Sequence, residues 1–177
     1  MVKKIAIFLS FSAFFIVALM AFSPKESLYF LLENELKNFD VVISKEQLNS
    51  NLLSLDIKNL EITTKGIPSA LIDEASVTLL VFSNTVELQN IKLSSLVESY
   101  LPSKIEYLEV SYTIFNPLHV TASGNGEFGE AEVTFNITSR ELEVVLNPSK
   151  KMLSKYRNSL RRFKKTENGE YVYAQTF

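Results

Sequence analysis

No cysteine occurs among the 177 residues, and that absence removes disulfide frameworks, thiolate nucleophiles and zinc–thiolate sites together. Stability has to come from packing. Histidine is nearly as scarce: His119 is the only one, set in Pro117-Leu118-His119-Val120 at a strand, so nearby sequence offers neither a zinc site nor a nucleophile–base pair. It reads as a structural residue. Five glycines and five prolines form no linker, so the chain after its first apolar run reads as one domain. Ser123-Gly124-Asn125-Gly126 follows no βα pattern and lacks the context of a phosphate-binding loop; its glycines are expected to supply positive φ at a turn or bulge. Glu127, Glu130 and Glu132 lie close together, but the last two alternate with apolar partners and belong on a solvent face. No catalytic residue, metal ligand or cofactor site is expected, and the reading is non-enzymatic. Asn136-Ile137-Thr138 matches a glycosylation acceptor, a short motif with meaning only in a glycosylating cell.

What the chain does have is an uncharged run, Ile5 to Phe22, with nothing more polar than Ser10 and Ser12. As a helix at about 1.5 Å per residue it matches the roughly 30 Å hydrocarbon core of a bilayer. Lys3, Lys4 and the terminal amino group precede it, whereas Lys25 and Glu26 offset each other behind it, so a cytoplasmic N-terminus and an exported body are expected. The rival reading is a cleaved secretory signal, for which the cleavage candidates around Leu19, Ala21 and Pro24 are poor. Both readings export the body. Residues 1–22 are taken as tip and anchor.

Ser23-Pro24-Lys25-Glu26 has the form of a capping box with proline at the first helical position. Leu28, Leu31, Leu32, Leu36 and Phe39 then recur at spacings of three and four, which predicts a membrane-proximal amphipathic helix over 23–38 whose apolar stripe packs on the domain behind it. From Phe39 the period becomes two. Leu53, Leu55 and Ile57 alternate with polar residues, and the alternation resumes at Leu60 and Ile62 one residue out of phase, so a bulge or kink is expected at Lys58-Asn59. Leu55–Ile62 aligns with Val86–Leu93, Asn59 matching Asn90, and Ile105–Val110 is a fainter third copy. Ile67-Pro68-Ser69 is expected to break a strand, and Val77–Val81 to form another. Residues 94–101 form a short helix or turn before Pro102, with Leu96, Val97 and Tyr100 over one sheet end. Val133 and Phe135 fall on an inward face and Glu132 on the outer one, with Leu142, Val144 and Leu146 on the partner strand after a turn at Thr138-Ser139-Arg140. About eight strands over 39–148 with few helices imply a mainly β fold: a strongly bent antiparallel sheet or open half-barrel with an apolar interior.

From Ser23 to Pro148 there are eighteen acidic and eight basic residues, whereas Ser149 to Lys165 carries eight basic residues and no acidic one. Leu153, Tyr156, Leu160 and Phe163, with Met152 beside them, predict a basic amphipathic C-terminal helix in 149–177. Lys150, Lys151, Lys155, Arg157, Arg161, Arg162, Lys164 and Lys165 occupy its other faces. Three readings stay open for them: a solvated cap on the sheet, an arm on anionic lipid headgroups, or a dock for an acidic partner. Nucleic acid is not expected outside the cytoplasm. Residues 169–177 are aromatic-rich and suit a last strand on an open edge.

Taken together, the basic N-terminus and span, FSPKESLYFLLENEL, LLSLDIKNLEI, VELQNIKL and GNGEFGEAEVTFNITSRELEVVLNPS resemble the AsmA-like family and, within it, the protein N family of the bacterial type II secretion system. The resemblance covers nearly the full length and rests on apolar patterns, glycine and asparagine. It implies a single-pass protein of the bacterial inner membrane with a periplasmic β-groove. The partners it implies are secretion-system or other envelope proteins, with an accessory role in that assembly. For the wider family it implies phospholipid in the groove, and the short chain leaves room for only a small one.

Overall fold

Alternating apolar and polar residues place nearly half of the chain in one antiparallel sheet, and a computed structural model describes residues 2–177, the side chains of residues 2, 3 and 99 excepted. The amino group of Met1 and the side chain of Lys3, part of the expected basic tip, lie outside the described residues. Eleven strands are present among those residues, more than the eight expected, because short strands form at Val41–Ser44 (β1), Gln47–Ser50 (β2) and Lys164–Lys165 (β10). The others are Ser54–Thr64 (β3), Ile67–Leu79 (β4), Ser83–Leu93 (β5), Lys104–Thr113 (β6), His119–Gly126 (β7), Gly129–Asn136 (β8), Glu141–Pro148 (β9) and Tyr171–Thr176 (β11). The order is β1-β3-β4-β5-β6-β7-β8-β9-β11-β10, with β2 also on β3, so the sheet is open and the expected terminal strand joins it through β9.

Helix α1 spans Val2–Ala21. Its stretch Lys4–Ala21 has a mean hydropathy of 2.2 and none of it is buried within the protein, so α1 is long and apolar enough to cross a membrane. Helix α2 spans Lys25–Lys37. The capping box expected at Ser23 does not form: Ser23 Oγ turns back to donate to Met20 O (3.0 Å), where the end of α1 leaves carbonyls free, and Pro24 takes the N-cap position. The expected packing face is also corrected. Lys25 and Tyr29 are the buried residues of α2, while Leu28, Leu31, Leu32 and Phe39 point away from the sheet and stay exposed. Tyr29 joins Leu55, Ile57, Leu60, Ile72, Ala75 and Ile91 in the main core.

The phase shift in β3 is a backbone event. Asn59 adopts φ 58°, so Leu55, Ile57 and Leu60 all reach the core although their spacing changes from two to three. Asn90 in β5 does the same at φ 53°, and β6 carries a register shift between Ile105 and Tyr107. These irregularities are in line across the sheet: Lys58 pairs with Glu74 and Glu74 with Gln89, while Leu60 pairs with Ile72 and Ile72 with Ile91. The three sequence copies are therefore β3, β5 and β6.

Two further expectations change. Pro68 lies inside β4, beyond the last residue that β5 pairs, so its missing N–H removes no bond on that side. Gly124 and Gly126 lie within β7 without positive φ; a Cβ at Gly126 would sit 2.7 Å from Lys104 O, so glycine is needed there for close approach of β6. The positive φ of that hairpin falls on Gly129 (115°) instead.

The expected long tail helix is broken. Helix α3 covers only Lys150–Lys155, a 3-10 turn covers Ser159–Arg162, and Lys164–Lys165 is the short strand β10. Ser149 starts α3 by accepting from Met152 N (3.1 Å) while donating to Glu127 O (2.6 Å). Met152, Tyr156 and Leu160 are buried against Leu146, whereas Leu153 is exposed. Phe163 packs against the same cluster, so of the expected stripe only Leu153 turns away, with Met152 in its place.

Candidate functional site

Cross-strand register sorts the sheet into two chemically different faces. Leu55, Val77, Val86, Val110, Ala122, Val133, Val144 and Tyr173 follow one another through eight strands in a single row. The adjacent row on the opposite face reads Asp56, Ser76, Glu87, Glu109, Ser123 and Glu132 through β8, and turns apolar only at Val145 and Val172 in β9 and β11. Side chains alternate along each strand, so the first row is an apolar inner face and the second a polar outer one. Helix α2 packs on β1, β2 and β3, and α3 packs on β9. Between them Val110, Ala122, Val133 and Phe135 are half-buried, which leaves an apolar trough rather than a filled core.

At one end the trough deepens into a cavity of about 790 Å3. Its walls come from β5 and β6 (Leu93, Ile105), from β8 and β9 (Ala131, Val144, Leu146) and from the tail (Met152, Phe163). Ser159 Oγ donates to Tyr100 O (2.6 Å), which carries the tail back across β8 and β7 to the β5–β6 connection and roofs this end. Pro102 is fully buried in the wall; Tyr100, expected as part of a cover, is exposed and lines the space with Leu101. Asn158, Ser159 and Arg162 are its polar residues. A mostly apolar space of this volume with a few polar groups has the make-up of a site for an amphiphile.

The eight basic residues are all exposed, but they do not form one helical face. Lys150, Lys151 and Lys155 are on α3, Arg161 and Arg162 on the 3-10 turn, Arg157 between them, and Lys164 and Lys165 in β10. Lys151 bonds Glu127 (2.6 Å), which holds the Glu127 carboxyl below its usual range and raises the lysine. Lys155 lies over the Tyr156 ring and Lys165 over Tyr171. Arg162 is the one that reaches the cavity.

His119 is held on both ring nitrogens, by Asn116 Oδ1 (2.8 Å) and Asn136 Nδ2 (3.2 Å). No group of three or more His, Asp or Glu side chains suits a metal among the described residues. The Tyr107 hydroxyl donates to Glu109 (2.7 Å) and is pushed up to about 12 by that bond, with burial adding to it. Tyr29 rises further, first through burial and then through the Glu46 and Glu33 carboxylates.

Sequence patterning marked the inner-face residues of β3, β8 and β9, and it included Arg162 among the basic residues. It missed the cavity, because Leu93, Ile105, Leu146 and Met152 converge only through register and the tail's return. Comparison with models of protein families, with curated proteins and with solved structures finds no match.

Proposed function

We propose that this chain is a membrane-anchored, non-enzymatic module that holds the acyl chains of a lipid against the inner face of its sheet. The observation that carries the reading is the apolar row from Leu55 to Tyr173, left half-open over β6 to β8 and ending in the cavity beside Arg162. Acyl chains fit the apolar walls, and an anionic headgroup at the mouth would meet the Arg162 guanidinium. Helix α1 acts as a single-pass anchor in a bacterial inner membrane, with its basic tip in the cytoplasm and the sheet in the periplasm. Retention of α1 is supported by Lys25, whose ammonium bonds both the last turn of α1 and the β2–β3 loop. The resemblance to AsmA-like proteins points the same way.

The test uses the full chain reconstituted with a phospholipid bearing a photoactivatable acyl chain. Adducts are expected on peptides containing Ala131, Val144 and Leu146, and Ala131→Trp, which fills the cavity, should deplete them while the fold stays protease-resistant. Equal labelling of Ala131→Trp and the parent would overturn the reading.

A second reading, an accessory component of a type II secretion system or similar envelope assembly, is favoured by one observation. Lys150, Lys155, Arg157 and Arg161 are exposed at the sheet end where α3 lies, available to an acidic partner. Crosslinking in the intact envelope that is lost with Arg157→Glu and Arg161→Glu would support it.

A further inference from the structure

The end of the sheet at which α1 stops has a composition unlike the other end. Lys25 Nζ bonds Met20 O of α1 and Leu52 O of the β2–β3 loop, so that loop is where the apolar helix meets the sheet. From there backbone hydrogen bonds link neighbouring tips in one line: Leu79 N to Leu53 O, Ile114 N to Phe82 O, and Ile137 N to Leu118 O. The tips read Leu52-Leu53, Leu80-Val81-Phe82, Ile114-Phe115-Asn116-Pro117-Leu118 and Ile137-Thr138-Ser139-Arg140. Arg140 is their only charge. Most of their large apolar side chains are turned outward: Phe115 is 82 % exposed, and Leu53, Phe82, Ile114, Leu118 and Ile137 lie between 43 and 52 %.

These tips are built to present that surface. Thr113 Oγ1 accepts from Phe115 N and donates to Phe82 O, and Asn116 engages His119, so the polar groups of the turn are satisfied inward. The rings of Phe82 and Phe115 stack at 6.3 Å across two adjacent tips. At the opposite end the connections carry Lys65, Glu98, Glu127, Lys150, Glu167 and Glu170. The two ends are separated by β6, ten residues or roughly 33 Å.

An uncharged row of exposed Leu, Ile, Val and Phe that continues directly from a membrane-crossing helix matches the headgroup–acyl boundary of a bilayer. We infer that these tips form a rim seated in the leaflet from which α1 emerges, so that the sheet stands end-on to the bilayer. Tyr112, Val120, Phe135 and Leu142, the inner-face residues next to the tips, then open the trough at the membrane surface. The inference rests on α1 spanning the membrane.

The cysteine-free chain allows a direct test. Full-length protein carrying Phe14→Cys, Phe115→Cys, Leu118→Cys or Lys65→Cys, each with an environment-sensitive fluorophore, is reconstituted into phosphatidylethanolamine–phosphatidylglycerol vesicles. The vesicles contain lipid brominated near the headgroup or at the chain end. Protease resistance of the sheet certifies each labelled variant, and Leu118 serves if Phe115 disturbs folding. The rim predicts loss of emission at 115 and 118 with the headgroup-proximal bromine and none at 65. Quenching at 14 with none at 115 or 118 would overturn the rim and leave the anchor intact. No quenching at any site would overturn both. Emission at 115 that is shielded only at high protein density, without bromine quenching, would assign the tips to a second copy of the chain and also overturn the rim.

Discussion

The ammonium of Lys25 lies 2.9 Å from the carbonyl oxygen of Leu52 and 3.3 Å from that of Met20, with the residue only 4 % exposed. One cation thus neutralises the carbonyl end of α1 and pins it to the β2–β3 loop. Lys25→Met keeps the apolar stem but leaves Leu52 O without that donor. It should cost about 1–3 kcal/mol, read as a lower urea midpoint, and should open the Ser23–Pro24 junction to protease. An unchanged midpoint and cleavage pattern would show that the clamp is not what holds the junction.

Asn59 and Asn90 sit at φ 58° and 53°, in the left-handed region. Replacing either by Gly should leave the melting temperature nearly unchanged, whereas Val should lower stability by about 1–2 kcal/mol because a β-branched side chain clashes there. Equal effects of Gly and Val at both positions would contradict the backbone account of the phase shift.

Met152 is buried and Leu153 is exposed, so the residue beside the expected apolar stripe, and not the one within it, faces the sheet. Met152→Ala should cost about 2–5 kcal/mol in chemical denaturation. Leu153→Ala should cost less than about 1 kcal/mol. A larger effect at Leu153 would contradict this burial of Met152 against Leu146.

Tyr107 is pushed up from 10.0 to about 12 by its bond to Glu109. A raised folded value means that its contribution to stability is complete below pH 10 and is lost as pH climbs from 10 to about 12, where the unfolded phenol ionises first. Ultraviolet titration should show two late tyrosines, Tyr29 and Tyr107, and Glu109→Gln should bring Tyr107 back toward the ordinary range. Titration of Tyr107 near 10 in the parent would refute the coupling.

Local signals were the readable ones. The out-of-phase alternation around Asn59 announced a kink because a strand can bury one face across a shift only by a backbone irregularity, and Asn tolerates the left-handed region that supplies it. The uncharged run over Ile5 to Phe22 announced α1, and the alternation around Val133 announced the inner face. Glycines misled, since the same residue type serves positive φ at Gly129 and close strand approach at Gly126. Helical periodicity misled twice. Around Leu31 it marked an apolar stripe without saying which side meets the sheet. In the tail, spacings of three and four ran through Tyr156, where the chain turns. The cavity was illegible because its walls are distant in sequence and Ser159 reaches Tyr100 only in the fold.

Val133 and Glu132 are neighbours on opposite faces of β8, so a photoreactive side chain at each position in the full-length chain, activated in intact cells, tests the central claim most directly. The lipid-holding account predicts phospholipid adducts at 133 and none at 132. Protein adducts alone at 133, or equal lipid labelling at both positions, would contradict it.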